Sequence, residues 1–287
     1  MKGMIYKSLS GFYYIKSKGR DYVCRGAGKL RLEQSPMVGD LVEFSMEHDP
    51  GVVEKIYPRK NALTRPSVAN VDRIAIVLSV SPKPDYLLCD KLLIQAATAQ
   101  VEPILFANKM DLTDEEDILE PYYATGYRLI RGSAVMKHGL DELMQALDGG
   151  INCMAGQSGV GKSSILNSML PGLELSTGRI SKKTSRGTHT TRHVELILLP
   201  DGGYIADTPG FSALNMELLE PATLARMYPE WQKEAAQCKY TDCLHIAGSQ
   251  GCAVKKALQE GRIHPTRYDN YVMIIDEIME RRRKQYD

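Results

Sequence analysis

Residues 151–164 read INCMAGQSGVGKSS, an apolar strand-like run followed by a glycine-rich turn and the start of a helix. The turn fits the GxxxxGK[ST] pattern, in which backbone N–H groups at a helix N-terminus converge on phosphate oxygens. Lys162 should reach the β- and γ-phosphates, and Ser163 should bind Mg²⁺. The predicted nucleotide-contacting residues of this loop are Gly156, Ser158, Gly159, Val160, Gly161, Lys162, Ser163 and Ser164. Strand, loop and helix together indicate an α/β nucleotide-binding domain.

A second motif, NKMD at residues 108–111, directly follows another apolar run. Its aspartate can accept hydrogen bonds from N1–H and the N2 amino group of guanine, a donor pair that adenine lacks. Its asparagine can bridge the purine to a neighbouring loop, and its lysine stem can cover the base. A Ser-Ala pair after the next strand-like run matches the loop whose backbone N–H donates to guanine O6. The predicted base-contacting residues are Asn108, Lys109, Asp111, Ser133 and Ala134.

Each of these base-reading patterns is short, so alternatives exist when they are taken alone. NKxD also fits a helix cap or a turn, and the Ser-Ala pair fits an ordinary loop. A phosphate loop on the same predicted sheet favours the functional interpretation, which is guanine specificity.

A third motif, DTPG at residues 207–210, ends a strand-like run and fits DxxG, whose Asp holds Mg²⁺ and whose Gly N–H senses the γ-phosphate. Residues 178–193, GRISKKTSRGTHTTRH, contain five Lys or Arg residues and no acidic one. They occupy the place of a first switch loop; a solvated basic loop is the alternative. Thr190 or Thr191 should reach Mg²⁺, and we favour Thr191. The predicted Mg²⁺ ligands are Ser163, Thr191 and Asp207, and Gly210 contacts the nucleotide.

The position after DxxG carries Phe211, where many GTPases place the glutamine that orients the attacking water. Phenylalanine cannot hydrogen-bond to water, so another group or a partner must do this. His189 is the leading polar candidate in the switch loop, and we hypothesise that it is catalytic. Lys162 is the second predicted catalytic residue, because it stabilises the transferred phosphoryl group.

The order of these motifs is rotated, because the base-reading motif precedes the phosphate loop and DxxG follows it. Strand-like runs alternate with helical segments through residues 67–220, which indicates a doubly wound α/β domain. The sequence therefore predicts a central P-loop GTPase domain with circularly permuted motifs.

The N-terminal residues 1–66 are basic, with 12 Lys or Arg against 7 Asp or Glu in a chain of net charge +1. Short β-like segments between residues 7 and 56 predict an OB-like barrel; an SH3-like barrel or another small β unit is the alternative. Aromatic and basic residues interleave there, which suits RNA stacking and phosphate contact, although about half of the aromatics should be barrel core. These residues are Phe12, Tyr13, Tyr14, Tyr22, Lys16, Lys18, Arg20 and Arg25.

The C-terminal residues 221–287 are predicted to be helical and contain a Cys/His cluster with the spacing C-x₄-C-x-H-x₆-C. Three thiolates and one imidazole make a closed tetrahedral set, typical of structural Zn²⁺; a thiol-redox site is the alternative. The surrounding residues are poor in bulky apolar groups, so we expect zinc to replace a hydrophobic core here. Trp231 is expected to be a packing residue. The predicted ligands are Cys238, Cys243, His245 and Cys252.

The remaining cysteines, Cys24, Cys89 and Cys153, are expected to be buried thiols. The sequence contains no run of about 18 uncharged apolar residues, so no membrane span is expected. The N-terminus lacks the apolar core of a signal peptide, so a cytoplasmic location is expected.

The motif series NKMD, GSA, GQSGVGKSS, RGTHTTRH and DTPGF, followed by the Cys₃His cluster, resembles the ribosome small subunit-dependent GTPase A family. The junction RPSVANVDRIAIVLS also resembles that family's, and the resemblance covers nearly the whole chain. It implies an OB-fold, a permuted GTPase core and a zinc domain. It also implies binding to the small ribosomal subunit and its rRNA during late assembly, with GTP hydrolysis stimulated by that subunit. The interval from His245 to Cys252 is one residue longer than the family pattern.

Two functions of different classes follow from these expectations. The first is a GTPase that cycles between GTP and GDP on ribosomal RNA and acts as a monomer. The second is an RNA-binding checkpoint whose affinity depends on the bound nucleotide, with turnover only resetting it. Another permuted assembly GTPase with a different RNA partner is a third alternative.

Overall fold

The computed structural model describes residues 1–28, 30, 34–64, 67–113, 117–170, 172, 194–200, 202–207 and 219–286. Its strands are β1 Lys2–Leu9, β2 Phe12–Ser17, β3 Arg20–Gly26, β4 Leu41–Ser45, β5 Gly51–Ile56, β6 Ala62–Thr64, β7 Ser67–Ala69, β8 Val71–Ser79, β9 Glu102–Asn108, β10 Arg128–Arg131, β11 Ile151–Gly156, β12 Val194–Leu198 and β13 Tyr204–Asp207. Its α-helices are α1 Tyr86–Thr98, α2 Leu140–Ala146, α3 Lys162–Met169, α4 Pro221–Ala225, α5 Gln232–Ala235, α6 Ala253–Gln259 and α7 Pro265–Tyr286. Short 3₁₀ turns cover Met110–Leu112, Glu120–Thr125 and Pro229–Trp231.

Strands β1 to β5 form an N-terminal closed barrel in the order β1-β2-β3-β5-β4, with β1 and β4 completing the closure. Alternate residues of these strands point inward and are fully buried, among them Ile5, Ile15 and Phe44. A five-stranded barrel of this order is OB-like, which confirms the predicted barrel.

The first barrel strand begins at Lys2, ahead of the β-like region that the sequence indicated. Gly3 has weak β-propensity, which hides the strand start in the sequence. A Cβ at Gly3 would lie 2.5 Å from Ile15 Cγ2 and 2.8 Å from the Lys16 carbonyl oxygen. The glycine therefore lets β1 and β2 approach closely.

The central sheet continues in the order β10-β9-β8-β11-β13-β12. The strands from β10 to β13 in this order are parallel, and β12 forms an antiparallel hairpin with β13. Ile74, Ile76 and Leu105 are among the buried residues of β8 and β9, consistent with strands covered on both faces. Since the carboxyl ends of parallel strands share one edge, the loops after β9, β10 and β11 meet there, beside the end of β13.

The C-terminal helices form their own hydrophobic core against the central domain. Trp231 is fully buried and stacks on Tyr228 with ring centroids 4.3 Å apart, which confirms its packing role. Tyr271, Ile274 and Ile278 on α7 join the same cluster. The expectation that zinc replaces a core in this unit was wrong. Its apolar residues come mainly from α4, α6 and α7, outside the cysteine-rich loop on which the expectation was based.

A buried polar network joins α1 of the central domain to this C-terminal unit. Arg267 forms an ion pair with Asp90, and its Nε donates to Glu230 at 2.7 Å. Asp90 also accepts hydrogen bonds from Asn270 Nδ2 at 2.8 Å and from the Tyr122 hydroxyl at 3.0 Å. These contacts pair opposite charges that would otherwise be costly to bury.

The three isolated cysteines are buried, as predicted. Burial raises the pKa of Cys24 to about 11 and that of Cys153 to about 12, so both are inert thiols. Among the described residues, no helix is long and apolar enough to span a membrane.

Candidate nucleotide and metal sites

The phosphate loop lies between β11 and α3 at the carboxyl edge of the central sheet. Gly156 has a φ of +136°, and a Cβ there would lie 2.3 Å from the Val77 carbonyl oxygen. In the described structure, no side chain caps the N-terminus of α3 at Gly161. The first N–H groups of this helix are therefore available to an anion, as the motif predicts.

Lys162 lies within this loop and donates from Nζ to the carbonyl oxygens of Gly156 at 2.7 Å and Gln157 at 2.8 Å. Burial lowers the pKa of its ammonium group. A phosphate anion placed beside it would oppose that shift by stabilising the charged form. The geometry therefore suits a lysine that binds phosphate.

Asn108, the last residue of β9, connects two loops of the site. Its Nδ2 donates to the Val160 carbonyl at 2.8 Å, and its Oδ1 accepts from the Ala134 N–H at 3.0 Å. A Cβ at Gly161 would lie 2.4 Å from Asn108 Nδ2, so only glycine leaves room for this bond. The predicted bridging role of Asn108 thus extends to the phosphate loop itself.

Lys109 follows with left-handed backbone, at a φ of +61°. Its Nζ donates to the carbonyl oxygens of Gly159 at 2.8 Å and Ser81 at 2.5 Å. Its stem therefore spans from the base-reading motif to the phosphate loop. Asp111 lies in the following 3₁₀ turn and is exposed, which leaves its carboxylate accessible.

The loop after β10 places Ser133 and Ala134 beside Asn108, and both are buried. The Ser133 N–H donates to the His138 carbonyl at 3.0 Å, and Ser168 Oγ on α3 donates to the Ala134 carbonyl at 3.0 Å. Since the Ala134 N–H already donates to Asn108, a hydrogen bond to guanine O6 would have to share that N–H.

Several predicted residues lie outside the described part of the chain, in residues 173–193 and 208–218. They are His189, Thr190, Thr191, Gly210 and Phe211. Strand β13 ends at Asp207, so the backbone leads into the DxxG motif at the carboxyl edge, although the Asp207 side chain is not described.

The Cys/His cluster brings together the four predicted ligands, whose ligand atoms all lie within 4.8 Å of one another. Nδ1 of His245 lies 3.6 Å from Cys238 Sγ and 3.5 Å from Cys252 Sγ. Typical Zn–S and Zn–N bonds in a tetrahedron place S and N about 3.6 Å apart. Burial lowers the pKa of His245, which favours the neutral imidazole that a metal needs. The cluster can therefore hold a tetrahedral metal ion.

Helix α7 fixes the backbone around this cluster. The Tyr268 hydroxyl donates to the His245 carbonyl at 2.7 Å, and the Tyr271 hydroxyl donates to the Leu244 carbonyl. His245 itself has left-handed backbone with a φ of +58°. These contacts orient the imidazole toward the sulfur atoms, as an outer shell of a metal site does.

Comparison with known proteins gives family matches for the N-terminal barrel and for the central domain. The family model described as RsgA GTPase matches residues 56–217, and the model of the RsgA N-terminal domain matches residues 2–53. The chain belongs to the RsgA GTPase family.

Relatives of this family match over the full length of the chain. A protein of Geobacillus sp. (strain WCH70) named Small ribosomal subunit biogenesis GTPase RsgA is 43% identical over 290 residues, covering 98% of each chain. One of the same name from Moorella thermoacetica (strain ATCC 39073 / JCM 9320) is 41% identical over 288 residues, covering 99% of each.

Two solved structures share the fold. The crystal structure of YjeQ from Thermotoga maritima has a TM-score of 0.83 and 36% identity, covering 97% of this chain and 98% of the other. A structure described as YloQ, a circularly permuted GTPase, has a TM-score of 0.79 and 35% identity, covering 98% and 95%. As an RsgA GTPase, the chain is a GTP hydrolase with permuted motif order, which confirms the predictions of enzyme class and fold.

Two residues that support the RsgA site did not emerge from the sequence. The carbonyl of Ser81 accepts from Lys109, and Ser168 anchors the loop at Ala134. Ser81 follows β8 at the carboxyl edge, which is a usable signal for a site residue. Ser168 lies within α3, and nothing in the local sequence distinguishes it from a solvated helix position.

Proposed function

We propose that this GTPase binds the small ribosomal subunit and hydrolyses GTP during late maturation of that subunit, which stimulates the hydrolysis. The supporting observation is the full-length identity of 43% to a relative named Small ribosomal subunit biogenesis GTPase RsgA, which spans the barrel, the GTPase core and the Cys/His unit alike. The proposed units are residues 1–66, 67–220 and 221–287. The protein works as a cytoplasmic monomer.

The phosphates of GTP bind to the loop from Gly156 to Ser164. Backbone N–H groups at the start of α3 donate to phosphate oxygens. Lys162 exchanges its two carbonyl partners for the β- and γ-phosphates, where its charge stabilises the transition state. The short reach of Nζ to both carbonyls supports this role, because the ammonium group already lies inside the loop.

Guanine binds at the loops after β9 and β10. Asp111 accepts from N1–H and N2, Lys109 covers the base, and Asn108 keeps the two loops in register with the phosphate loop. Ser133 and Ala134 face O6. The exposure of Asp111 and the burial of Asn108 support this division between a base-binding residue and a supporting residue.

Magnesium chemistry depends on the two switch segments. Ser163, Thr191 and Asp207 would hold Mg²⁺, which would supply positive charge to the phosphates of the nucleotide. Gly210 senses the γ-phosphate, and His189 orients the attacking water because Phe211 cannot. These assignments rest on the sequence pattern and on the position of β13, whose last residue is Asp207.

The Cys/His cluster holds one structural Zn²⁺ through Cys238, Cys243, His245 and Cys252. Three sulfurs and one nitrogen within 4.8 Å of one another support zinc over oxygen-preferring ions. The closed ligand set leaves no position for a substrate. A metal bound there would hold the loop after α5, which Tyr268 and Tyr271 of α7 also hold by hydrogen bonds to its backbone carbonyls.

The barrel provides an RNA-binding surface. Tyr13 and Tyr22 pack against the barrel core, whereas Arg25 lies over the Phe12 ring at 4.6 Å from its centroid. Aromatic rings beside cations suit base stacking together with phosphate contact. Arg25 is exposed, and together with the Phe12 ring it forms such a pair.

The decisive experiment is GTP turnover with and without purified small subunits, beside large subunits and free rRNA. The proposal expects stimulation by small subunits only. Equal stimulation by large subunits would support a different RNA partner, and no stimulation by any of them would overturn the proposal.

A second experiment separates an enzyme from a checkpoint. The full chain is bound to small subunits with GDP, GTP or a non-hydrolysable GTP analogue, and its release is followed. Binding with the analogue but arrested release would favour the checkpoint, in which turnover only resets affinity.

A further inference from the structure

Strand β1 belongs both to the barrel and to the GTPase sheet. Its amino-terminal part closes the barrel by pairing with β4, and its carboxyl-terminal part pairs with β12 instead. The described register pairs with β12 are Lys7 with Glu195 and Ser8 with Val194. An irregularity between Ile5 and Lys7 marks the change of partner. This narrow connection, which we call the seam, makes one continuous sheet of the two domains.

An ion pair lies at the seam. Lys7 Nζ is 2.9 Å from Glu195 Oε2, and the two side chains are 26% and 34% exposed. The hydrogen bond with Glu195 is the largest of the causes that raise the pKa of Lys7. Lys7 Nζ also lies over the ring of Tyr14 on β2, 5.7 Å from its centroid. One ammonium group therefore contacts both the barrel and the GTPase sheet.

The same register continues to the end of β13. Glu195 on β12 pairs with Asp207 on β13, so Lys7, Glu195 and Asp207 occupy one line across three strands. Asp207 is the last residue of β13 and the first of the DxxG motif. A displacement of β1 therefore acts on β12. Strand β12 is in turn hydrogen-bonded to β13, which ends at the nucleotide site.

We propose that Lys7 and Glu195 are positioning residues that couple the barrel to the GTPase centre across the seam. Binding at the barrel shifts β1, the ion pair transmits this shift to β12, and β12 sets the position of β13 at its Asp207 end. The RNA-dependent part of this mechanism rests on the proposed function. The coupling itself does not rest on the proposed function. Because linkage is reciprocal, a barrel that affects the nucleotide site must also respond to the nucleotide bound there.

A purely structural role makes a different prediction. A partly exposed ion pair contributes little to stability, so its loss would leave the folded state and the nucleotide dependence of the barrel unchanged. The chain offers a matched control in Arg73 and Glu102, which are register partners on β8 and β9 with Nε and Oε2 3.2 Å apart. That pair lies within the GTPase sheet, away from the seam.

The first test is amide hydrogen exchange of the full-length protein with GDP and with a non-hydrolysable GTP analogue. Wild-type amides of β1 and β2 are expected to exchange at rates that differ between the two nucleotides, and the difference should vanish in Lys7→Ala and persist in Glu102→Lys. Identical exchange of wild-type β1 and β2 in both states would overturn the proposal.

The second test is a charge reversal. In Lys7→Glu and in Glu195→Lys, the ratio of subunit-stimulated to basal turnover should fall about fivefold or more, within the usual range of allosteric coupling. The double variant Lys7→Glu/Glu195→Lys should recover a ratio within about twofold of wild type. The alternative explanation for a loss in Lys7→Glu is that the carboxylate introduced on β1 repels RNA, and this repulsion would persist in the double variant. A lack of recovery would therefore overturn the ion-pair mechanism.

The two proposals fail in different ways. Absence of stimulation in the wild-type protein would contradict the proposed function, while the exchange test would still decide the coupling. Normal stimulation of wild type, with equal ratios in the single variants and in Glu102→Lys, would contradict the coupling alone.

Discussion

Arg267 on α7 and Asp90 on α1 form a buried ion pair between residues 177 positions apart in the chain. Their side chains are 2% and 0% exposed, and Glu230, also 2% exposed, shares the same guanidinium. The Arg267 guanidinium lies over the rings of Tyr122 and Tyr228, at 5.1 and 4.6 Å from their centroids. This cluster connects the C-terminal unit to the GTPase core. Its contribution to the free energy of unfolding can be tested by substitution.

Replacing Arg267 with methionine should lower the free energy of unfolding by about 3 kcal/mol or more, because Asp90 and Glu230 would remain buried without a counter-charge. Urea denaturation followed by circular dichroism measures this. Arg262→Met is the matched control, since Arg262 is 48% exposed and pairs with Glu260 at the surface. It should lower the free energy of unfolding far less, because solvent screens an exposed ion pair. Equal losses in the two variants would show that the buried network adds no stability.

Asn108→Ala should weaken GDP and GTP binding about tenfold or more, because the loops after β10 and β11 would lose their hydrogen bonds to this side chain. Titration with a fluorescent guanine nucleotide measures both affinities. Ser168→Ala, which removes only the support of the Ala134 carbonyl, should have a smaller effect. A larger loss in Ser168→Ala than in Asn108→Ala would contradict the connecting role of Asn108.

Asp111→Asn should exchange the base preference from guanine to xanthine. The amide can donate to the C2 carbonyl of xanthine, whereas it cannot accept both donors of guanine. We expect GTP-dependent turnover to fall about a hundredfold and XTP-dependent turnover to rise. Retained GTP preference in this variant would place guanine recognition elsewhere.

His189→Ala should reduce subunit-stimulated turnover severely while GTP affinity stays near that of wild type, because orienting a water affects the transition state rather than the bound nucleotide. Single-turnover hydrolysis beside equilibrium binding separates the two effects. Stimulated turnover equal to wild type would exclude this histidine from catalysis.

Cys243→Ser should abolish binding of one zinc ion per chain, measured by elemental analysis of the purified protein. The C-terminal helices should nevertheless keep most of their far-ultraviolet dichroism, because the core with Trp231, Tyr271 and Ile274 takes most of its buried side chains from outside the ligand set, although Cys252 belongs to it. Cys24→Ala in the barrel serves as the control and should leave the zinc content unchanged. Complete loss of helix in Cys243→Ser would restore the view that zinc replaces the core.

Local motifs predicted much of the nucleotide site, because each one carries its own context of strand, loop and helix. The strand before Gly156, the helix after Gly161 and the four cysteine and histidine ligands all follow from spacing within a few residues. Contacts between distant segments could not be predicted in this way. The donation from Lys109 to the Ser81 carbonyl depends on which loops share the sheet edge.

The same limit explains the missed elements. The antiparallel pair of β6 and β7 has three residues in each strand, too few for a periodic pattern to be recognised. The core around α7 was missed because its apolar residues come from separate helices. The ion pair of Arg267 with Asp90 beside this core was missed as well, because nothing in the sequence distinguishes Asp90 from an ordinary charged residue of α1.

The pairing of β1 with β12 has a consequence for how the polypeptide folds as it leaves the ribosome that makes it. Strands β1 to β5 end at Ile56, so every partner needed to close the barrel is synthesised early. Glu195, the partner of Lys7, follows 188 residues later in the chain. Because domains fold as units in the order of synthesis, the barrel is complete while the carboxyl-terminal end of β1 still has a free edge. The GTPase domain thus completes its sheet by pairing β12 with the β1 strand of a barrel that has already folded.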